Sequence, residues 1–172
     1  MKNWGKWFYE TAQFDGFRLD AIKHIPPEFY NYWLDALRSE LGVELFTVGE
    51  YWAPYDLQAL LDYIEATDGR MSLFDACLQA NFSKASKEGQ GYDLSKIFDG
   101  SLVQVRPELA VTLVENHDTQ PLQSLEQNVD PWFRTHAYAL ILLRESGYPC
   151  VFFQTYMALV TPIPEKMMKN IK

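Results

Sequence analysis

The sequence is poor in the residues that mark several common functions. It holds two cysteines in 172 residues, Cys77 and Cys150, too few and too far apart for a disulfide framework or a metal-binding spacing. Each sits in an apolar stretch and reads as a buried free thiol. Basic side chains number 15 against 23 acidic, a net charge of −8. That balance argues against nucleic acid and against an anionic membrane surface, both of which select clustered Lys and Arg. The longest apolar run, Ala137 to Leu143, is far short of the ~20 residues of a membrane helix, so no membrane span is expected. The opening Lys2-Asn3-Trp4-Gly5-Lys6-Trp7 has no apolar core, so no signal peptide is expected there. No GxGxxG or GxxxxGK[ST] loop follows any apolar run, which leaves nucleotide phosphate binding without support.

What is present is a foldable chain. Apolar residues make up 48% and charged residues 22%, enough to bury a core. Aromatics reach 15%, a content that suits a core and also suits surfaces that stack on sugar rings. Short apolar runs alternate with amphipathic helical patterns. The runs Phe14–Leu19, Glu44–Val48, Met71–Phe74, Leu109–Val114 and Cys150–Phe153 predict strands, and Leu109–Val114 reads as buried on both faces. Pro26-Pro27 opens a helix striped by Phe29, Trp33, Leu37 and Leu41 and closed by Gly42. Asp56 caps a second, with Leu57, Leu60, Leu61 and Ile64 on one face. Asp130-Pro131 opens a third that runs to Arg144, while Leu78–Leu102 reads as two short helices broken by Gly89, Gly91 and Gly100. Alternating βα order predicts a parallel sheet, doubly wound or barrel-like. A complete (β/α)8 barrel takes about 250 residues, with roughly 200 as the floor, so the chain is too short for one.

In parallel α/β folds functional residues gather at the carboxyl ends of the strands. Here Asp20 follows Phe17-Arg18-Leu19, Glu50 follows Phe46-Thr47-Val48-Gly49, and Asp118 follows Leu113-Val114-Glu115-Asn116-His117. Singly each has a bland reading, as a helix cap, a solvated loop residue or a turn-former. Together they crowd like charges on one rim, which costs stability unless function requires it. Two carboxyl groups across a reacting bond are what glycoside hydrolysis needs, one to protonate the departing oxygen and one to attack. Arg18 shares a strand face with Asp20, and its fixed charge favours the ionised, nucleophilic form. Glu50, nearer to carboxylates than to a cation, is the group suited to hold a proton for donation. Tyr51 and Trp52 form either a stacking surface for sugar or part of the core. Zinc ligation by His24, Glu50, His117 and Asp118 is the competing reading, but no HExxH or HxH spacing occurs. A Ser-His-Asp triad is weaker still without a GxSxG elbow, and His136 lies within an amphipathic helix as a structural residue.

GFRLDAIKH (Gly16–His24), FTVGE (Phe46–Glu50) and VENHD (Val114–Asp118) resemble three of the four hallmark motifs of the α-amylase family, glycoside hydrolase family 13, in the family's order. NWGKW, LFTVGEYW, MSLFDA, LAVTLVENHDTQP, DPWF and GYPCVFF extend the resemblance to about Phe153. It implies an α/β fold that is a partial (β/α)8 TIM barrel, approximately strands four to eight. Residues 1–172 would be the C-terminal part of the catalytic domain, without the first three strands, the calcium-binding excursion or the C-terminal β-domain. By the same resemblance Asp20 is the nucleophile, Glu50 the general acid/base and Asp118 the carboxylate that grips sugar hydroxyls. Arg18, Lys23, His24, Trp52 and His117 are substrate-binding. The His24 carbonyl would ligate a structural calcium, the one cofactor implied, in a site this chain leaves incomplete. The implied reaction is retaining endohydrolysis of α-1,4-glucosidic bonds in starch or glycogen, with an α-glucan polysaccharide or oligosaccharide as partner. The truncation predicts little or no activity for the isolated chain. A non-catalytic glucan-binding module and a maltooligosaccharide-forming or transglycosylating relative are the alternatives. The chain departs from the family at Glu115, where relatives commonly have Asp, and at Leu122, where they usually have Gly. It departs again at Gln154-Thr155, where they continue Tyr-Gly-Asp.

Overall fold

A computed structural model describes residues 1–160; the end of the divergent stretch Met157–Lys172 lies outside the described residues. Five strands form one parallel sheet in the order of the chain: β1 (Gly16–Leu19), β2 (Phe46–Gly49), β3 (Ser72–Phe74), β4 (Ala110–Leu113) and β5 (Tyr148–Cys150). Helices α1 (Lys2–Ala12), α2 (Pro27–Leu41), α3 (Leu57–Ala66), α4 (Ala76–Glu88), α5 (Leu102–Val105), α6 (Pro131–Leu143) and α7 (Phe153–Val160) alternate with them. Sequential parallel order with helical crossovers is a barrel's wiring, since a doubly wound sheet reverses its order at a switch point. The sheet curls: Phe46 on β2 and Tyr148 on β5, three strands apart, bring their rings to 5.2 Å between centroids. β1 and β5 are edges.

Local chemistry explains the elements. Proline enters α2 at its first position, and Gly42 ends the helix in the left-handed region at φ 67. The Asp56 carboxylate accepts from the Ala59 N–H at 3.0 Å and caps α3. The main core lies between the sheet and its helices, where Ile22, Leu34, Leu37, Leu60, Leu73 and Phe82 are fully buried. Each such side chain contributes about 1.5–3 kcal/mol. A smaller cluster of Trp52, Ala76 and Leu113, with Phe74, Leu125 and Cys150 against it, forms a second apolar centre.

Two expectations need correction. The stretch from Leu78 is not a pair of short helices; α4 runs unbroken for 13 residues. Its buried face includes Gln79, Ser83 and Ser86, so apolar periodicity cannot show it. Their donors are paired individually, Gln79 Nε2 donating to the Gln127 carbonyl at 2.6 Å and Ser83 Oγ to that of Asn128 at 3.0 Å. The last strand lies at Tyr148–Cys150, not Cys150–Phe153. Its ladder pairs Val111 with Tyr148 and Leu113 with Cys150, and β4 ends there, leaving no partner further on. Pro149 is tolerated because β5 is an edge. Cys77 is buried, Cys150 half-buried, and both are free.

Candidate active site

The β1–β2 register pairs Leu19 with Gly49, so Asp20 and Glu50 leave the sheet side by side. Gly49 leaves room at that point: a Cβ would come within 2.5 Å of Ile22 Cδ1 and 2.9 Å of Met71 Sδ and would have to displace those buried side chains. The two loops interlock through the backbone. Glu50 N–H donates to the Leu19 carbonyl at 2.8 Å, and the Glu50 carbonyl accepts from Ile22 N–H at 3.1 Å. Ala21 adopts φ 47, a left-handed conformation costing an L-residue roughly 1–2 kcal/mol. In that turn the Ala21 N–H meets Glu50 Oε2 at 2.9 Å, which fixes a carboxylate that is only 6% exposed. Arg18 Nη1 lies 2.5 Å from Asp20 Oδ1 with both side chains open to solvent. One carboxylate is therefore exposed and paired to a guanidinium, and its neighbour is buried and held by an amide.

The same loop continues into a 3₁₀ turn, Ile22–His24. Tyr63 donates its hydroxyl to the Ile22 carbonyl at 3.4 Å; burial raises that phenol well above its ordinary range, so it stays a neutral donor. Lys23 is exposed and its Nζ donates to the Trp52 carbonyl at 3.4 Å. His24 is exposed. Calcium takes six to eight oxygen ligands, and the His24 carbonyl is one oxygen. Among the described residues no three His, Cys, Asp or Glu side chains converge as a metal site. These residues do not by themselves fit a calcium ion.

Asp118 stands in the loop after β4. Asn116 Oδ1 accepts from the N–H groups of both Asp118 and Thr119 at 2.9 Å, and Thr119 Oγ1 accepts from Asn116 N–H at 3.0 Å. His117 Nε2 lies 3.2 Å from Asp118 Oδ2. Among the described residues no hydrogen bond or ion pair joins Asp118 to Asp20 or Glu50 directly, so their separation is set by the sheet's curvature and by contacts between the loops that carry them. Sequence reasoning missed what holds this loop from beneath. Glu115, 5% exposed, is paired with Arg134 of α6 at 3.0 Å and accepts from Thr155 Oγ1 of α7 at 2.9 Å. No spacing rule links positions 115, 134 and 155.

The aromatics divide differently from the stacking reading. Trp52 is 8% exposed within the smaller cluster, and Tyr51 packs on Tyr63 at 5.0 Å. Tyr55, further along the same loop, is the open ring. A separate concavity of about 760 Å³, lined by Tyr92, Phe98, Trp132 and Leu140 among others, contains no carboxylate and lies between α4 and α6 on the helix side.

Five parallel strands in chain order, helices outside, and charged residues on the carboxyl rim define a partial (β/α)8 barrel. The fold matches that of an Anoxybacillus α-amylase with a TM-score of 0.64 at 24% identity, covering 91% of this chain and 35% of that one. No protein-family model matches the sequence. The chain is 52% identical over 172 residues, its whole length, to the α-amylase of Geobacillus stearothermophilus. It is also 52% identical, over 153 residues, to the cytoplasmic α-amylase of Escherichia coli strain K12. It belongs to the α-amylase family, and it spans about 30% of the length of the curated relatives it matches. No helix among the described residues is long and apolar enough to cross a membrane.

Proposed function

We propose that the chain carries the catalytic carboxylates of an α-amylase-type glycoside hydrolase, as the C-terminal part of its barrel domain, strands four to eight. The substrate is a starch- or glycogen-type α-1,4-glucan and the reaction retaining endohydrolysis. The observation that carries this reading is the Arg18–Asp20 pair beside a Glu50 carboxylate held by the Ala21 N–H. The exposed, guanidinium-paired Asp20 is suited to attack the anomeric carbon. The buried Glu50 is suited to protonate the departing glycosidic oxygen and then to take a proton from water as the glycosyl intermediate is hydrolysed. Asp118, with His117 beside it, would hold sugar hydroxyls, and Arg18, Lys23 and His24 would line the cleft. Calcium at the His24 carbonyl would need further oxygens from outside these residues.

Two measurements test the reading. The isolated chain, lacking much of a cleft, should release no reducing sugar from soluble starch above an Asp20→Asn control. Exchanged for the matching segment of the Geobacillus stearothermophilus α-amylase, it should support turnover that Asp20→Asn abolishes. A folded chimera without turnover, or one indifferent to Asp20→Asn, refutes the assignment.

A further inference from the structure

Tyr55 is 85% exposed, yet its ring is not free to wander. Gln127 Nε2 donates to its hydroxyl at 2.6 Å. Gln127 is itself pinned, its N–H donating to the Thr119 carbonyl at 3.0 Å and its carbonyl accepting from the fully buried Gln79 at 2.6 Å. An exposed aromatic tethered at its hydroxyl presents a flat apolar face with less freedom to lose when a ligand arrives. Beside it runs a groove of about 630 Å³ between α4 and the 126–128 segment, walled by Tyr55, Lys84, Lys87 and Glu126 among others. That volume falls within the ordinary range of ligand clefts. One ring face with ammonium donors and a carboxylate acceptor around it is complementary to a ligand that is apolar on its C–H face and hydroxylated at its edge, as a pyranose is.

The groove also connects to the carboxylate rim. Tyr55 ends the loop that begins at Glu50, and Thr119, which anchors Gln127, follows Asp118 directly. The Tyr55–Gln127 bond joins these two loops. We propose that Tyr55 and the groove it walls form a binding subsite for a stretch of α-glucan remote from the cleaved bond, with Gln127 as the residue that positions the ring. This rests on the glucan reading above and adds to it a site that Trp52, buried in its cluster, does not provide.

The test is titration of the full chain with maltohexaose by calorimetry, alongside the urea midpoint of each variant. Tyr55→Ala should weaken binding about tenfold, as loss of one stacked ring face implies. Tyr55→Phe, which keeps the ring and loses its anchor, should cost about twofold, and Gln127→Ala a similar amount. Urea midpoints should not move, because the ring is exposed. Wild-type affinity in Tyr55→Ala overturns the subsite while leaving the hydrolytic reading, which the chimera tests separately. Failure of the wild-type chain to bind overturns the subsite as well. Tyr55-dependent binding beside a folded, inactive chimera supports the subsite and refutes hydrolysis.

Discussion

Leu122 offers a quantitative test of the loop that follows Asp118. It adopts φ 68, inside the left-handed region, and is 94% exposed. An L-residue in that conformation costs roughly 1–2 kcal/mol through the contact of its Cβ with the following carbonyl. Glycine avoids that contact but surrenders about 0.5–1 kcal/mol more backbone freedom on folding. The few Å² of leucine surface that are covered contribute under about 0.3 kcal/mol. Leu122→Gly should therefore stabilise the chain by about 0.5 kcal/mol, which for this size raises Tm by about 1–2 °C. Leu122→Ala keeps the Cβ and so keeps the strain, and should stay within about 0.5 kcal/mol of wild type. Thermal and urea unfolding followed by far-UV circular dichroism measure all three proteins. If Leu122→Gly is no more stable than Leu122→Ala, backbone strain at this position is not what the loop pays for departing from the family's glycine.

Two further outcomes follow from buried groups. Arg134→Met should cost about 3 kcal/mol in urea unfolding, because it leaves the Glu115 carboxylate buried with Thr155 as its remaining partner; adding Glu115→Gln should recover part of that, and a single-variant loss below about 1 kcal/mol would show the pair to be a surface contact in energetic terms. Burial, then the nearby Asp75 charge, pushes the Cys77 thiol up to about 11. A folded value above the unfolded one means stability that is intact below about pH 9 and lost as pH rises through 11. By pH 10.5 wild type should have lost about 2 kcal/mol relative to Cys77→Ala, measured against their difference at pH 8; parallel profiles would contradict a buried, neutral thiol.

The parts of the fold legible in the sequence were those specified locally. Pro27 and Gly42 bound α2, Asp56 caps α3, and Ala110–Leu113, buried throughout, was recognisable as an unalternating apolar run. Arg18 and Asp20 were legible as partners because two residues on a strand share a face. The hidden parts depend on register or on polar burial. Nothing near Glu50 announces that the Ala21 N–H, 29 residues away, will hold its carboxylate. Helix α4 was obscured because Gln79, Ser83 and Ser86 face inward, Gln79 and Ser83 donating to carbonyls of a distant loop and Ser86 to the Ser83 carbonyl within the helix. Trp52 and Tyr55 could not be ranked as stacking surfaces from type alone, since which ring is covered depends on Leu113 and Cys150 arriving from other strands.

These contacts divide the site into two parts with different physical dependence. Arg18, Asp20 and Glu50 are assembled by adjacent strands through the β1–β2 ladder and the Ala21 turn, so their geometry requires two strands and one loop. Asp118 is two strands beyond Glu50, and its position relative to that pair is transmitted through the curl of the sheet. The curl is carried by side chains on the concave face, where Phe46 meets Tyr148 and Trp52 packs among Phe74, Leu113 and Cys150. Phe46 is 44% and Tyr148 62% exposed, so that contact is only partly shielded from water, whereas a closed barrel fills its interior with layered side chains. Among the described residues the sheet is open at β1 and β5, so its curvature is not locked by closure as a complete barrel's is. The Asp20–Glu50 pair is thus the robust element of the site, and Asp118 is the carboxylate whose placement depends on what packs against the open face.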